Sequence, residues 1–270
     1  MTRVLSGAAL IIAVVAIVWL APVWIFFAVA ELVLVLAFAE YARIAAAGGV
    51  PVPAIVAGAA AIFTSIGVTS TLWVGDEVVG TAVALDAILM TVFVLLASMA
   101  LATWHGERDA LARAAASVFP CLYLGLPIGA LVALRARRGS EGVFLLMLTI
   151  MVSDTAQYYT GRLFGRRPLA PAISPKKTIE GAVGGFVFGA AALAIAGIWW
   201  LPSVPAWMRA VLGVAVVTLG IAGDLFESML KRSAGLKDSS DLIPGHGGVL
   251  DRIDALLFAA PIYYVVLKYV

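Results

Sequence analysis

Residues 228–254 concentrate the side chains that could do chemistry. The segment reads SMLKRSAGLKDSSDLIPGHGGVLDRID and carries four aspartates, one histidine and four Lys/Arg, whereas the sequence on both sides is almost entirely apolar. The chain as a whole is 63% hydrophobic and only 13% charged. Charge beside long apolar stretches is costly unless it serves a function, so this segment is the first candidate for a functional site.

Helical spacing groups the acids of this region. Extended back to residue 224, a helix places four polar residues on one face: Asp224, Glu227, Ser228 and Lys231. Asp251 and Asp254 stand three residues apart at the start of the next apolar stretch. Asp224 and Asp251, at the ends of adjacent helices, could converge on one divalent ion. Hard oxygen ligands suit Mg²⁺, which takes one or two carboxylates together with phosphates and water.

Basic side chains surround these acids and would neutralise a polyphosphate: Lys231, Arg232, Lys237 and Arg252. Between the acids, the run Gly245-His-Gly-Gly248 supplies backbone that can approach a ligand closely. His246 in this run is a candidate catalytic residue, with a structural hydrogen bond in a loop as the alternative.

Two further polar clusters precede this segment. The first lies near the end of an apolar stretch and places four residues on one helical face: Asp154, Gln157, Tyr158 and Gly161. An acid, an amide and a phenol on one stripe indicate a polar cavity. A helix end already at the lipid headgroups is the alternative.

The second cluster, residues 165–181, combines four cations with three prolines in a constrained basic loop. Either Ser174 with Lys177, or Thr178 with Gly181, places a hydroxyl near a helix start, where free backbone N–H groups and the helix dipole favour anions. Lys176 and Lys177 add point charges suited to phosphate. The alternative is a positively charged anchor at anionic lipid headgroups.

Several catalytic patterns are absent from the sequence. It contains no Walker-type Gly-Lys-Ser/Thr loop, no cysteine pair, no His-rich metal site and no serine with a plausible His-Asp pair. A phosphate-handling site without a protein nucleophile suits direct transfer between two phosphorylated substrates.

The elements that position these residues are membrane helices. The mean hydropathy is +1.06, and a spanning helix needs about 20 mostly apolar residues. Nine such stretches are predicted: 4–20, 22–45, 52–73, 78–103, 111–134, 141–162, 181–201, 206–228 and 250–270. The predicted fold is an all-α polytopic membrane protein in which residues 1–140 form a transmembrane scaffold and residues 141–270 carry the catalytic region. Glu31 and Asp86 also fall within predicted spans, either as functional groups or as hydrogen-bonded contacts between helices.

The distribution of charge predicts the orientation. If nine spans alternate, one side receives thirteen Lys/Arg and the other five, which assigns the first side to the cytoplasm. All three polar clusters fall on or next to that side, although the run Arg135-Ala-Arg-Arg138 opposes the trend. We therefore expect a multi-pass protein of a bacterial-type inner membrane, with its active site facing the cytoplasm.

The signature in residues 228–254 resembles that of the phosphatidate cytidylyltransferases, also called CDP-diacylglycerol synthases. The resemblance covers Ser228-x-Leu-Lys-Arg232, Lys237-Asp238-x-Ser240 and Ile243-Pro-x-His-Gly-Gly-Val249-x-Asp251-Arg-Ile-Asp254. Ser174-Pro-Lys-Lys-Thr-x-Glu-Gly181 and Asp154 with its downstream glycines are similar to other blocks of the family. The specific match covers about residues 150–254, whereas the N-terminal half resembles the family in hydropathy and span count alone.

The resemblance implies that CTP and phosphatidate are converted into CDP-diacylglycerol and pyrophosphate by a Mg²⁺-dependent homodimer in the bilayer, and no nucleic-acid partner is expected. Whether a second, monovalent cation is also required is left open. Metal binding is assigned to Asp224 and Asp251, followed by Asp154 and Asp254. Lys231 and Arg232 are assigned, with His246, to catalysis on the CTP phosphates. The residues assigned to substrate binding are Ser228, Lys237, Asp238, Gly247, Gly248 and Arg252, and those assigned to the lipid phosphate are Ser174, Lys176, Lys177 and Thr178.

Three alternatives remain open from the residues themselves. A CTP-dependent lipid kinase, or a cytidylyltransferase for another lipid phosphate, would share a basic, Mg²⁺-dependent site and differ in its products. An ion-coupled transporter would use intramembrane acids as a relay. Transporters often show repeats in both halves, whereas polarity here is confined to the second half.

Overall fold

A computed structural model describes residues 2–73, 85–106, 108–243, 245 and 247–270, and α-helix dominates these residues. The helices are α1 Thr2–Leu20, α2 Val23–Ala47, α3 Ala54–Trp73, α4 Leu85–Thr103, α5 Ala110–Pro120, α6 Leu126–Phe164, α7 Ile179–Trp200, α8 Ala206–Ser233 and α9 Leu250–Lys268. A π-helical turn, Cys121–Gly125, joins α5 to α6. The all-α membrane fold predicted from the hydropathy is confirmed.

The apolar stretches predicted from the sequence correspond to these helices, and the stretch 111–134 also contains the π-helical turn. The first residues of the stretch 78–103 lie outside the described residues. The break expected near residues 139–140 is present, because Gly139 leaves the helical conformation. Gly139, at φ 70° and ψ −167°, separates two halves of α6 there. Among the described residues, five helical stretches are long and apolar enough to cross a membrane by length and composition. The count of nine spans stays a prediction.

Arginines bind helix C-termini at one end of the bundle. Arg135 donates to the carbonyl of Ala21 at 3.1 Å, Arg138 to that of Leu267 at 3.2 Å, and Arg209 to that of Gly197 at 2.9 Å. These carbonyls belong to the last turns of α1, α9 and α7 or directly follow them, where C=O groups lack partners within the helix and the helix dipole favours cations. Three of the five positive charges on the predicted non-cytoplasmic side therefore have a local structural role.

The segment predicted as a basic loop contains a short hairpin. Strand β1, Pro168–Ala170, pairs antiparallel with β2, Ser174–Thr178. The carboxylate Oε2 of Glu180 accepts the backbone N–H groups of Arg166 at 3.0 Å and Arg167 at 3.2 Å. These contacts tie the hairpin to the first turn of α7, so the hairpin is anchored to the helix that follows it.

Thr178 provides the N-cap of α7. Its Oγ1 accepts the backbone N–H of Gly181 at 3.1 Å, which satisfies one of the unpaired donors at the helix start. Ser174 instead begins β2, ahead of the helix. Of the two hydroxyls that the sequence places near a helix start, Thr178 is therefore the one in the capping position.

The C-terminal helices pack through small residues, as is common in membranes. A Cβ on Gly185 of α7 would lie 2.5 Å from Cγ of Gln157 on α6. On α8, a Cβ on Gly223 would lie 2.5 Å from the backbone oxygen of Asp254 on α9. Because both contacts leave no room for a methyl group, the backbones of these helices approach closely and bring their polar side chains together.

The N-terminal helices share one buried core with the C-terminal helices. Tyr123 of the π-helical turn stacks on Phe119 and meets Phe226 of α8 edge-on, with ring centroids 5.0 and 5.6 Å apart. Glu31 of α2 accepts a hydrogen bond from Ser65 of α3 at 2.6 Å, a contact between two helices. The first half of the chain is thus packed directly against the helices that carry the signature.

Candidate active site

The polar face predicted on α8 is present. Ser228 Oγ lies 3.5 Å from Asp224 Oδ1 and donates to it, and Lys231 forms an ion pair with the buried Glu227 one turn earlier. Both contacts join residues four positions apart, as the 3.6-residue period of a helix requires. This face is directed at the hairpin on one side and at α9 on the other.

The hairpin contacts this face through Lys177. Its Nζ lies 2.5 Å from Oδ2 of Asp224, although the two residues are 47 positions apart in sequence. Arg232, at the end of α8, donates in turn to the carbonyl of Ile173 in the hairpin turn at 3.4 Å. The basic segment and the signature therefore form one site.

Three of the predicted metal ligands lie together. Asp154 on α6, Asp224 on α8 and Asp254 on α9 are within electrostatic range of one another and of Lys177. Gln157 donates to Asp154 Oδ1 at 3.1 Å, as the predicted helical stripe suggests. Asp224 precedes the end of α8 by nine residues, about 14 Å along the axis, and is half-buried, whereas the side chain of Asp154 is exposed.

Asp251, the fourth predicted ligand, has different neighbours. Its Oδ1 contacts Lys231, and its Oδ2 accepts the backbone N–H groups of Ser239 at 3.1 Å and Gly248 at 2.8 Å, as well as the Ser239 hydroxyl at 2.9 Å. The residue beside Asp224 on α9 is Asp254. In the antiparallel pair, Gly223 fixes which turn of α9 lies next to Asp224.

The cluster has the chemistry of a cation site. Asp154, Asp224 and Asp254 with one ammonium, that of Lys177, leave a formal excess of negative charge in the cluster. Two buried oxygens nearby, Tyr123 Oη and Glu227 Oε1, have no hydrogen-bond partner among the described residues. Hard oxygens with unmatched negative charge fit a divalent cation such as Mg²⁺. No three of the described His, Cys, Asp and Glu side chains already stand in ligand geometry.

Four of the remaining predicted cations are exposed at this end of the bundle: Lys176, Arg232, Lys237 and Arg252. The side chain of Asp238 is also exposed, next to the loop that follows α8. Positive charge next to an acidic cluster suits a polyanion whose phosphates are neutralised partly by side chains and partly by a metal. His246 lies outside the described residues.

Gly247 and Gly248, both assigned to substrate binding, stand at positions where the fold leaves no room for a side chain. Gly247 adopts φ +77°, and a Cβ there would lie 2.6 Å from Asp251 Oδ2. A Cβ on Gly248 would lie 2.0 Å from Ser239 Oγ and 2.4 Å from the carboxylate of Glu40. The close approach predicted for this run is therefore made, within the protein, to the side chains that hold the loop.

Glu40 was not identified from the sequence as a site residue. It is buried on α2, and its carboxylate accepts four hydrogen bonds from the segment 239–250. Arg43, one turn later, donates to the backbone carbonyls of Asp238 and Ser239. The available signal was an acid near the end of an apolar stretch, and no spacing rule connects such an acid to a loop 200 residues away.

Comparisons with known proteins agree with this arrangement. A model of the cytidylyltransferase family matches residues 1–270. Phosphatidate cytidylyltransferases of Mycobacterium bovis and Haemophilus influenzae are 43% identical over 129 residues and 45% identical over 131 residues. These segments cover 48% and 46% of this chain and 42% and 45% of the two relatives, so the aligned part spans less than half the length of either. The phosphatidate cytidylyltransferase of Staphylococcus saprophyticus is 32% identical over 195 residues, 72% of this chain and 71% of the relative.

Proposed function

The chain belongs to the cytidylyltransferase family, and from this premise we propose that it transfers the cytidylyl group of CTP to phosphatidate. The products are CDP-diacylglycerol and pyrophosphate. The observation that carries the proposal is the Lys177–Asp224 ion pair, which joins the basic hairpin to the acidic face of α8. A site that transfers a group between two phosphorylated substrates needs two anion-binding surfaces that meet at one point.

The chemistry needs little from a protein nucleophile or base. The phosphate of phosphatidate is already an anion, and one of its oxygens forms a new bond to the α-phosphorus of CTP. The bond from that phosphorus to the oxygen bridging the β-phosphorus breaks, and pyrophosphate leaves with the electron pair. Positioning and charge neutralisation then supply the catalysis, as in other phosphoryl transfers.

The nucleotide phosphates are assigned to the α8 end and the loop after it. Lys231, Arg232 and Lys237, with Arg252 at the start of α9, would neutralise the triphosphate and the leaving pyrophosphate. Ser228, Asp238, Gly247 and Gly248 are assigned to the same substrate, and so is His246, which lies outside the described residues. The support is that Lys231 and Arg232 extend from the last turns of α8, one toward Asp251 and the other toward the hairpin.

Mg²⁺ is proposed to bind among Asp224, Asp154 and Asp254, with Oδ1 of Asp251 as a further candidate ligand. The ion would supply charge neutralisation to the phosphates of CTP. Asp251 Oδ2 is already engaged by three donors from the loop, so Oδ1, which contacts Lys231, is the oxygen of this residue that is left for an ion. A second, monovalent cation stays an open part of the proposal.

The lipid phosphate is assigned to the hairpin. Lys176 and Lys177 lie on β2 with Ser174, and Thr178 ends that strand at the start of α7. Exposed apolar side chains at the end of α6, Leu163 and Phe164, lie next to this segment and suit acyl chains entering from the bilayer. We further propose a homodimer in a bacterial-type inner membrane with this end of the bundle in the cytoplasm, where CTP is found.

One assay tests the proposal. The purified protein is incubated with phosphatidate and CTP carrying label in the cytidine, with Mg²⁺ or with excess chelator. Labelled lipid and free pyrophosphate are expected with Mg²⁺ and are lost with the chelator. Phosphorylated lipid with CDP as the co-product would instead identify a lipid kinase, and activity on another lipid phosphate in preference to phosphatidate would reassign the acceptor.

A further inference from the structure

Glu40 lies in the N-terminal half of the chain and contacts the signature loop through both carboxylate oxygens. Oε1 accepts the Ser240 hydroxyl at 2.5 Å and the Val249 N–H at 2.9 Å. Oε2 accepts the Ser239 hydroxyl and the Leu250 N–H, both at 2.8 Å. The four donors come from residues 239–240 and 249–250, on either side of the segment 241–248, so one carboxylate joins the middle of the loop to the start of α9.

The same contacts cap α9. Val249 and Leu250 stand at its N-terminus, where backbone N–H groups have no partner within the helix, and the N-cap residue itself makes no side-chain capping bond. Glu40 supplies the missing acceptor from another helix, and a negative charge at this position is also favoured by the helix dipole. The start of α9, and with it the position of Asp251, depends on a residue of α2.

Ser239 links Glu40 to Asp251. Its hydroxyl lies 2.8 Å from Glu40 Oε2 and 2.9 Å from Asp251 Oδ2, and it is fully buried. Asp251 Oδ2 also accepts the N–H of Gly248, whose close packing on Glu40 excludes any side chain. Since Oδ2 is held by the loop, Oδ1 is the oxygen left to face Lys231.

We infer that Glu40 is a positioning residue for the nucleotide and metal side of the site, acting through the loop on the orientation of Asp251. Glu40 is not among the residues assigned to CTP, phosphatidate or Mg²⁺. Its buried carboxylate has no hydrogen-bond partner among the described residues other than these four donors. The inference rests on the proposed function, because it assigns Glu40 to one of the two substrates. It predicts that loss of Glu40 impairs CTP and Mg²⁺ binding and spares phosphatidate binding.

The test is the variant Glu40→Gln. An amide keeps the size of the side chain but replaces one acceptor oxygen with a donor, so one pair of loop donors loses its acceptor. A hydrogen bond to a charged group contributes about 1.5–3 kcal/mol, and about 1.4 kcal/mol corresponds to a tenfold change in affinity. The apparent KM for CTP should therefore rise about tenfold. The apparent KM for phosphatidate should change by less than about twofold, a split that general loosening of the fold would not produce.

The matched control is Glu31→Gln, the same substitution on the same helix. Glu31 is hydrogen-bonded to Ser65 of α3 and makes no described contact with the signature loop. Glu31→Gln should leave the KM values for CTP and phosphatidate within about twofold of wild type, because Ser65, the partner of Glu31, lies outside the site. An equal rise in the KM for CTP in both variants would overturn the assignment.

Direct binding separates this inference from the proposed function. Calorimetry with Mg²⁺ and CTP is carried out on the full-length protein in detergent, first for wild type. If wild type does not bind CTP, the proposed function fails. If wild type binds and Glu40→Gln binds equally well, the positioning role of Glu40 fails.

A second variant covers the case in which Glu40→Gln does not fold. Ser240→Ala removes one of the four donors from a half-buried position and leaves the carboxylate charged. The apparent KM for CTP should rise about threefold, and the apparent KM for phosphatidate should again stay nearly unchanged. An unchanged KM for CTP in folded Ser240→Ala, or a larger rise in the KM for phosphatidate, would contradict the inference.

Discussion

Lys177 on β2 and Asp224 on α8 form an ion pair with 2.5 Å between Nζ and Oδ2. The pair places a cation assigned to the lipid phosphate directly against an acid assigned to Mg²⁺. Both side chains are partly buried, so their charges are less screened than those of a surface pair. The two substrates proposed for this protein would therefore meet at this point of the structure.

Asp224→Asn is expected to reduce turnover to below about a tenth of wild type, which corresponds to about 1.4 kcal/mol of barrier. The change removes negative charge from the cluster with Asp154 and Asp254 and leaves Lys177 without its partner. Asp251→Asn should have a similar effect. The one oxygen of the amide would accept the three loop donors, so an NH₂ group would replace Oδ1 beside Lys231. The measurement is the rate of CDP-diacylglycerol formation at saturating substrates.

The control for both variants is Asp109→Asn. Asp109 is exposed and paired with Arg113 at 2.7 Å, away from the site. Exposed pairs of this kind are screened by solvent and contribute little to stability, so activity should stay near wild type. More than about a tenth of wild-type activity in either site variant would refute its assignment to the metal.

Lys177→Gln should raise the apparent KM for phosphatidate more than that for CTP, and Arg232→Ala should do the reverse. The physical reason is that an in-line transfer holds the attacking and leaving phosphates on opposite sides of the α-phosphorus. Lys268→Gln, at the other end of α9, is the matched control and should change neither value. Direct CTP binding is measured as well, because KM reports affinity only when chemistry is slow.

Two results would change this allocation. If Arg232→Ala binds CTP as tightly as wild type while Lys177→Gln does not, the assignments of the hairpin and the α8 end are reversed. Equal effects on both substrates would mean that the two surfaces form one shared anion site, a result that the contact between Arg232 and the hairpin turn would explain.

Gly223→Ala should destabilise the protein and reduce its activity. The new Cβ would lie 2.5 Å from the backbone oxygen of Asp254, which cannot move without moving α9. Overpacking of this kind costs about 1–3 kcal/mol and would push Asp254 away from Asp224. The measurements are the apparent melting temperature in detergent and the specific activity.

Gly220→Ala is the matched control, one turn earlier on the same helix. A Cβ at Gly220 would have its nearest neighbours at 3.7 and 3.9 Å, which is ordinary van der Waals contact. This variant should keep the wild-type melting temperature and activity. If both alanine variants behaved alike, the close approach of α8 and α9 at Gly223 would not be what sets the geometry of the site.

The orientation can be tested with single cysteines in a Cys121→Ala background, since Cys121 is the only cysteine and is buried. Ala172, in the hairpin turn, and Ser203, between α7 and α8, are both exposed and lie at opposite ends of α7. In intact cells, an impermeant thiol reagent should label Ser203→Cys and spare Ala172→Cys. Labelling of Ala172→Cys from outside would reverse the proposed orientation.

The sequence by itself determined the helices and the groups within each of them. Long apolar stretches must form helices in a bilayer, because backbone polar groups have no other partner there. The 3.6-residue period then places Ser228 beside Asp224 and Lys231 beside Glu227, and it also places Gln157 beside Asp154. These contacts follow from local geometry, so they could be predicted without any knowledge of the fold.

The tertiary structure decided which of these groups meet. Asp224 lies beside Asp254 because Gly223 lets α8 pack on α9 at that turn, and an axial shift between two helices is not encoded in the spacing along either one. The hairpin reaches α8 through Lys177, and Glu40 holds the signature loop from α2. Such contacts depend on how helices distant in sequence stack and rotate, which side-chain packing fixes only when the whole bundle has assembled.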